Sequence, residues 1–93
     1  MLILQSSRFR KVYKKLNTNQ KTDVDKAIIE VSKNPNIGEQ KTGDLSWLRV
    51  YKFRMLGQLT LLGYSVDNKG KIILTLVDVG PHENFYRDLK YSS

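Results

Sequence analysis

The hydrophobic residues of this chain change their spacing once, near its middle, and that change excludes most folds. From Phe9 to Val31 they recur every three or four residues; from Trp47 onward they alternate or run together. The first period marks helices with one buried face and the second marks strands. Helices followed by strands make an α+β domain, with the helices gathered on one face of a small antiparallel sheet.

The elements follow from the same periods. Leu2 to Gln5 has strand character, and Ser6-Ser7 then supply hydroxyls that can cap a helix start. Phe9, Val12, Tyr13 and Leu16 form the apolar stripe of a first helix, while Arg8, Arg10, Lys11, Lys14 and Lys15 fall on its other faces. Asn17-Thr18-Asn19 interrupts it. A second helix is predicted from about Gln20 to Ser32 on Val24, Ala27, Ile28 and Val31, with Asp23 in its first turn and Asn34-Pro35 as its stop.

Glu39 to Ser46 lacks any apolar period and reads as a surface loop. Trp47, Tyr51, Phe53 and Met55 then alternate with Leu48, Val50, Lys52 and Arg54, which predicts a strand, and Trp47 is expected to pack over a sheet end. Gln58 to Val66 is a second strand. Asp67-Asn68-Lys69-Gly70 has the composition of a hairpin turn, and Lys71 to Val79 is apolar enough for the central strand. Gly80-Pro81 stops it, and Phe85, Tyr86 and Leu89 predict a short C-terminal helix from about Glu83 to Tyr91. At 93 residues the chain is expected to form a single domain over 1–93.

Composition narrows the function. The absence of cysteine excludes disulfides and thiolate metal sites. With one histidine, no metal or cofactor is expected. Met1-Leu2-Ile3-Leu4 is too short for the roughly 7–15 apolar residues of a signal peptide, and nothing approaches a membrane span, so a cytoplasmic protein without a membrane partner is expected. A formal charge of +7 favours a polyanionic partner such as nucleic acid or an acidic protein. Gly-x-Ser-x-Gly and phosphate-cradling glycine motifs are both missing.

One cluster has coherent chemistry: Lys52 and Arg54 on a strand, with His82, Glu83, Tyr86 and Arg87 just past the last one. Attack of an RNA 2′-hydroxyl on the adjacent phosphate needs a base, a proton donor for the leaving oxygen and cations for the developing charge. His82 can act as acid or base, Lys52 and Arg54 can hold the phosphate, and Tyr86 can stack on a base. Each residue also has an ordinary reading. His82 after Gly80-Pro81 suits a turn or cap, Lys52 and Arg54 suit a solvated strand face, and Phe85 and Tyr86 suit core residues that seal a helix onto the sheet.

Beyond single residues, a longer pattern is present: a basic helical hairpin, the Asn34-Pro35 break with Gly38, the loop Gly43-Asp44-Leu45, the strand Arg49-Val50-Tyr51-Lys52-Phe53-Arg54, and the terminal Gly80-Pro81-His82-Glu83-Asn84-Phe85-Tyr86-Arg87-Asp88-Leu89-Lys90. Over nearly its whole length the chain resembles ParE-like members of the RelE/ParE superfamily of type II toxins. The resemblance implies a toxin that arrests bacterial growth, has a RelE-type fold, and is neutralised by a cognate antitoxin whose flexible segment covers the basic surface. Its target- or antitoxin-binding residues are then expected among Arg49, Lys52, Arg54, His82, Glu83, Tyr86 and Arg87.

The superfamily divides into mRNA endonucleases that work on the ribosome and inhibitors of DNA gyrase. Lys52 and Arg54 match the basic strand of the nucleases, and His82 matches the histidine that some of them carry. Where nucleases commonly have Gly-Tyr-Arg-Leu-Val-Tyr, this chain has Gly57-Gln58-Leu59-Thr60-Leu61-Leu62. Loss of that arginine can cost ~3 kcal/mol of transition-state stabilisation, which tilts the expectation toward gyrase. If the chain is a nuclease, its catalytic residues are expected to be His82, Lys52, Arg54 and Tyr86. A basic nucleic-acid-binding module without toxicity is the third reading.

Overall fold

The computed structural model describes residues 1–82 together with Phe85, Tyr86 and Leu89. Two helices, α1 (Ser7–Lys15) and α2 (Thr18–Lys33), lie on one face of a five-stranded mixed sheet. Its strands are β1 (Leu2–Gln5), β2 (Glu39–Gln40), β3 (Arg49–Met55), β4 (Gln58–Asn68) and β5 (Ile72–Pro81), in the spatial order β1-β5-β4-β3-β2. The α+β class is as expected, with two differences. The sheet is mixed because β1 runs parallel to β5, and the loop from Glu39 contributes a two-residue edge strand, β2, paired with Val50 and Arg49. That strand is too short for any period to reveal it.

Local chemistry explains the helix ends. Ser6 caps α1, its Oγ accepting from Phe9 N at 3.0 Å while donating to Val77 O at 2.7 Å, so one hydroxyl starts the helix and ties it to β5. Asn17 and Gln20 form a reciprocal capping box, so α2 begins at Thr18, earlier than its apolar stripe suggests. Asp23 therefore lies beyond the first turn. Its carboxylate accepts instead from Leu56 N at 2.9 Å, at the turn between β3 and β4 where Leu56 has φ 50°.

The core forms under the helices. Phe9, Val24, Ala27 and Val31 meet Leu62, Tyr64, Leu74, Leu76 and Val79, with Tyr51, Phe53 and Met55 packed beside them. The pairing of β4 with β5 slips between Gly63 and Tyr64, and the extra residue on β5 restores the inward side after Leu76, so Val79 still joins the core. β5 is interior, as its apolar run requires, although β4 is the middle strand. Tyr64 anchors the exit from α2, donating to Pro35 O and accepting from Gly38 N, both at 2.8 Å. Burial pushes its hydroxyl pKa up.

A second, smaller cluster lies on the other face, where Leu45, Leu48, Val50 and Leu61 pack with Phe85 and Leu89. His82, Phe85, Tyr86 and Leu89 are helical, as expected for the C-terminal segment. Gly63 makes this docking possible: a Cβ there would stand 2.6 Å from the Phe85 ring. Trp47 does not cover a sheet end; it is 46% exposed, while its neighbour Leu48 is fully buried. Among the described residues, no helix is long and apolar enough to cross a membrane.

Candidate functional site

Alternation along β3 separates its side chains. Tyr51, Phe53 and Met55 pack toward the helices, and Val50 joins the opposite cluster. Lys52 and Arg54 share the side of Val50 and are exposed. The register with β4 sets Lys52 opposite Leu61 and Arg54 opposite Leu59. Leu59, 44% exposed, thus stands directly beside Arg54 on the open face. Arg54 Nη1 also donates to Gly57 O at 3.2 Å, which steadies the guanidinium at the β3–β4 turn.

The last strand brings in the rest. Gly80 pairs with Leu61 and Pro81 with Thr60, so His82 emerges beside the end of β4 that carries Leu59. Its exposed ring meets Tyr86 edge-on at 5.6 Å, and Tyr86 meets Phe85 the same way at 5.3 Å. Tyr86 packs against the smaller cluster and is half-buried, so its core role and its place at the site coexist. Lys52, Arg54, His82 and Tyr86 therefore share one face of the sheet.

Arg49 does not join them. It pairs with Tyr64, a residue of the helix-covered core, and its Nη1 donates to Gly38 O at 2.7 Å and Asn36 O at 3.3 Å. It fastens the connection from α2 to β2. Glu83 and Arg87 lie outside the described residues.

Two residues that sequence reasoning did not single out complete the site. Glu39 and Lys41 flank the end of β2, and their side chains form an ion pair. The hydrogen bond from Lys41 holds the Glu39 carboxyl below its usual range, and Lys52 adds to that lowering from the next strand. The same bond to Glu39, followed by one to Tyr86, raises the Lys41 ammonium. Lys41 Nζ lies 5.3 Å from the centre of the Tyr86 ring. No sequence signal marks this contact, since it depends on how the 41–45 loop folds back to the C-terminal segment.

What the arrangement can do chemically is bind a phosphodiester chain. Three cations and two aromatic rings share a surface, with a carboxylate between two of the cations. Among the described residues, no group of three or more His, Asp or Glu could hold a metal ion.

Residues 3–90 match the family model for the ParE-like toxin of type II bacterial toxin–antitoxin systems. No curated protein matches the chain. Solved structures with the same fold include the E. coli toxin RelE, an arginine-substituted mutant, in the free state: TM-score 0.72, 22% identity, covering 97% of this chain and 95% of that one. The intact E. coli RelBE toxin–antitoxin complex gives TM-score 0.69 and 24% identity over 88% of this chain and 96% of that one. The RelE mutant bound to a peptide of the antitoxin RelB gives TM-score 0.68 and 22% identity over 97% and 92%.

Proposed function

The chain belongs to the ParE-like toxins of type II bacterial toxin–antitoxin systems, in the RelE/ParE superfamily, and from that premise we propose that it arrests growth by binding and cleaving messenger RNA on the open face of its sheet. All 93 residues act as the one toxin domain. The observation that carries this reading is the gathering of Lys52, Arg54, His82 and Tyr86 on that face.

Neighbouring strands lie about 4.8 Å apart, so Arg54 on β3 and His82 past β5 stand roughly 10 Å apart at the backbone. In this reading one phosphate lies above Leu59, between Arg54 and His82. In the reaction the RNA 2′-oxygen bonds to phosphorus and the bond to the 5′-oxygen breaks. A base takes the 2′-hydroxyl proton and an acid gives one to the departing oxygen, leaving a cyclic phosphate and a 5′-hydroxyl. His82 supplies proton transfer, Lys52 and Arg54 stabilise charge on the phosphoryl oxygens, and Tyr86 stacks on a base.

The partner is a cognate antitoxin. E. coli RelE is found in complex with RelB, and a flexible acidic segment covering Lys52, Arg54 and Tyr86 would occupy the surface that RNA needs. The test is growth arrest with the antitoxin absent. His82→Ala is expected to abolish arrest and spare mRNA while still binding antitoxin, and Lys52→Ala to abolish arrest and spare mRNA; a fully toxic His82→Ala protein removes His82 as the proton-transfer group.

A second reading is inhibition of DNA gyrase, and Leu59 favours it. An exposed leucine among cations suits a protein surface better than a phosphate. Purified toxin in excess would then block supercoiling or stabilise cleaved DNA, and unaffected gyrase eliminates that reading.

A further inference from the structure

Among the described residues one charged side chain is buried: Asp78 of β5, 4% exposed. Its Oδ2 accepts from Arg8 Nε at 2.9 Å, and its Oδ1 accepts from the N–H of Val79 at 2.9 Å. A buried ion pair adds little net stability compared with apolar residues of the same volume, so stability is a weak reason for this one. Its location supplies a better one.

β1 pairs with β5 only as far as Gln5, opposite Leu76, and from there α1 flanks the strand. Successive contacts fasten the start of α1 to it. Ser6 N donates to Leu76 O at 2.9 Å, Ser6 Oγ to Val77 O at 2.7 Å, and Arg8 holds Asp78. These are the residues of the slip in register, where Leu76 pairs with Tyr64 and Asp78 with Gly63, leaving Val77 as the extra residue. A bulge re-aims the strand beyond it, and bulges recur beside functional sites for that reason. The strand beyond this one ends at Pro81 and delivers His82.

The same pair borders the other side of the segment that carries His82. Opposite Asp78 on β4 stands Gly63, against which the Phe85 ring packs. Arg8, Asp78, Gly80, Pro81 and Phe85 line one cavity of about 160 Å³. The residue before His82 and the aromatic ring three residues after it thus adjoin one ion pair, while His82 itself is exposed and meets Tyr86. A misplacement of about 1 Å at a reacting group can cost about 10²-fold in rate, so a chain end that carries one needs an anchor.

We propose that Arg8 and Asp78 are positioning residues for His82: their ion pair fixes the bulged end of β5, and through it the place of the imidazole beside Tyr86 on the open face. Neither need touch RNA. The effect on cleavage rests on the nuclease reading, in which His82 transfers the proton; the effect on where the ring stands does not.

His82 is the only histidine, so its imidazole protons are unambiguous in the NMR spectrum of the purified full chain, and their through-space contact with the Tyr86 ring reads its place directly. Asp78→Asn keeps the shape of the side chain, but its one carbonyl oxygen can replace only one of the two carboxylate oxygens, and its amide nitrogen faces the other donor. In Asp78→Asn and in Arg8→Ala the His82–Tyr86 contact is expected to be lost, and mRNA cleavage at saturating RNA to fall by about 10²-fold with RNA affinity unchanged. The Arg8 side chain is 34% exposed, so Arg8→Ala decides alone if Asp78→Asn does not fold.

A His82–Tyr86 contact that survives these substitutions overturns the proposal, as does a loss of RNA affinity with the saturated rate intact. Cleavage by the unsubstituted chain separates this outcome from the larger reading. If that chain cleaves mRNA and the contact survives in the variants, the positioning falls and the nuclease stands; if the contact is lost and the unsubstituted chain does not cleave, the nuclease falls and the positioning stands.

Discussion

The two faces of the sheet are built from the same strands for opposite purposes. On the covered face, α1 and α2 bury Phe9, Val24 and Val31 against Leu62, Tyr64 and Leu74, and the polar groups that approach it are spent on fastening backbone. Arg49 belongs here, holding Gly38 and Asn36 carbonyls. On the open face the smaller cluster covers Val50, Leu61 and Gly63, and the next residues along, Lys52, Arg54 and Leu59, stay exposed. Arg49 and Arg54 are five residues apart on one strand; parity alone makes the first a brace and leaves the second available for a ligand.

Mutations that cost stability should therefore concentrate on the covered face, and those that cost activity on the open one. The largest effect expected is Phe9→Ala, about 3–5 kcal/mol of unfolding free energy by denaturant titration. A loss below 1 kcal/mol would mean that α1 contributes little to the core. Next, Lys52→Ala and Arg54→Ala should each lower RNA cleavage by about 10²–10³-fold, as removal of a preorganised charge does. Their stability should stay within about 0.5 kcal/mol of the parent, as surface substitutions usually do. Comparable losses in both readouts would erase the distinction between the faces.

Tyr64→Phe tests the covered face at its polar edge. Losing a hydroxyl that serves both Pro35 O and Gly38 N should cost about 1–3 kcal/mol. The same residue sets a pH dependence. Because burial raises its pKa above the ordinary value of 10.0, its contribution is full below that pH and is lost as pH rises through the folded value. Stability should fall above about pH 10 and fall less steeply in Tyr64→Phe; identical slopes contradict the assignment. The smallest effect expected is Leu59→Ala, with near-parental stability, undiminished RNA cleavage and, if gyrase were the target, reduced inhibition.

Most of the covered face was legible in the sequence, because a buried stripe must repeat with the period of its element. Phe9, Val12, Tyr13 and Leu16, then Val24, Ala27, Ile28 and Val31, lie under the helices as their spacing predicts. What escaped was non-local or too short. β1 finds β5 across some seventy residues, and β2 is two residues long. The start of α2 was obscured by Asn17, whose cap looks like a loop residue until Gln20 answers it.

The candidate site was legible by type more than by arrangement. Lys52, Arg54, His82 and Tyr86 were recognisable, and their shared face follows from strand parity and the turn after Pro81. Arg49 looked equivalent to them, and only its register opposite Tyr64 sets it apart. Lys41 had no signal, since a lysine in an aperiodic loop shows nothing of the tyrosine it will meet. The register resolved one ambiguity: the residue opposite Arg54 is Leu59, so the site lacks an arginine where it faces the open side.

The central claim is that the open face acts on RNA. Its most direct test follows cellular mRNA integrity and gyrase supercoiling side by side, within minutes of inducing the toxin without antitoxin. The account predicts that mRNA is cut before supercoiling changes, and that Lys52→Ala with Arg54→Ala prevents the cutting. Intact mRNA in arrested cells whose gyrase is inhibited would contradict it.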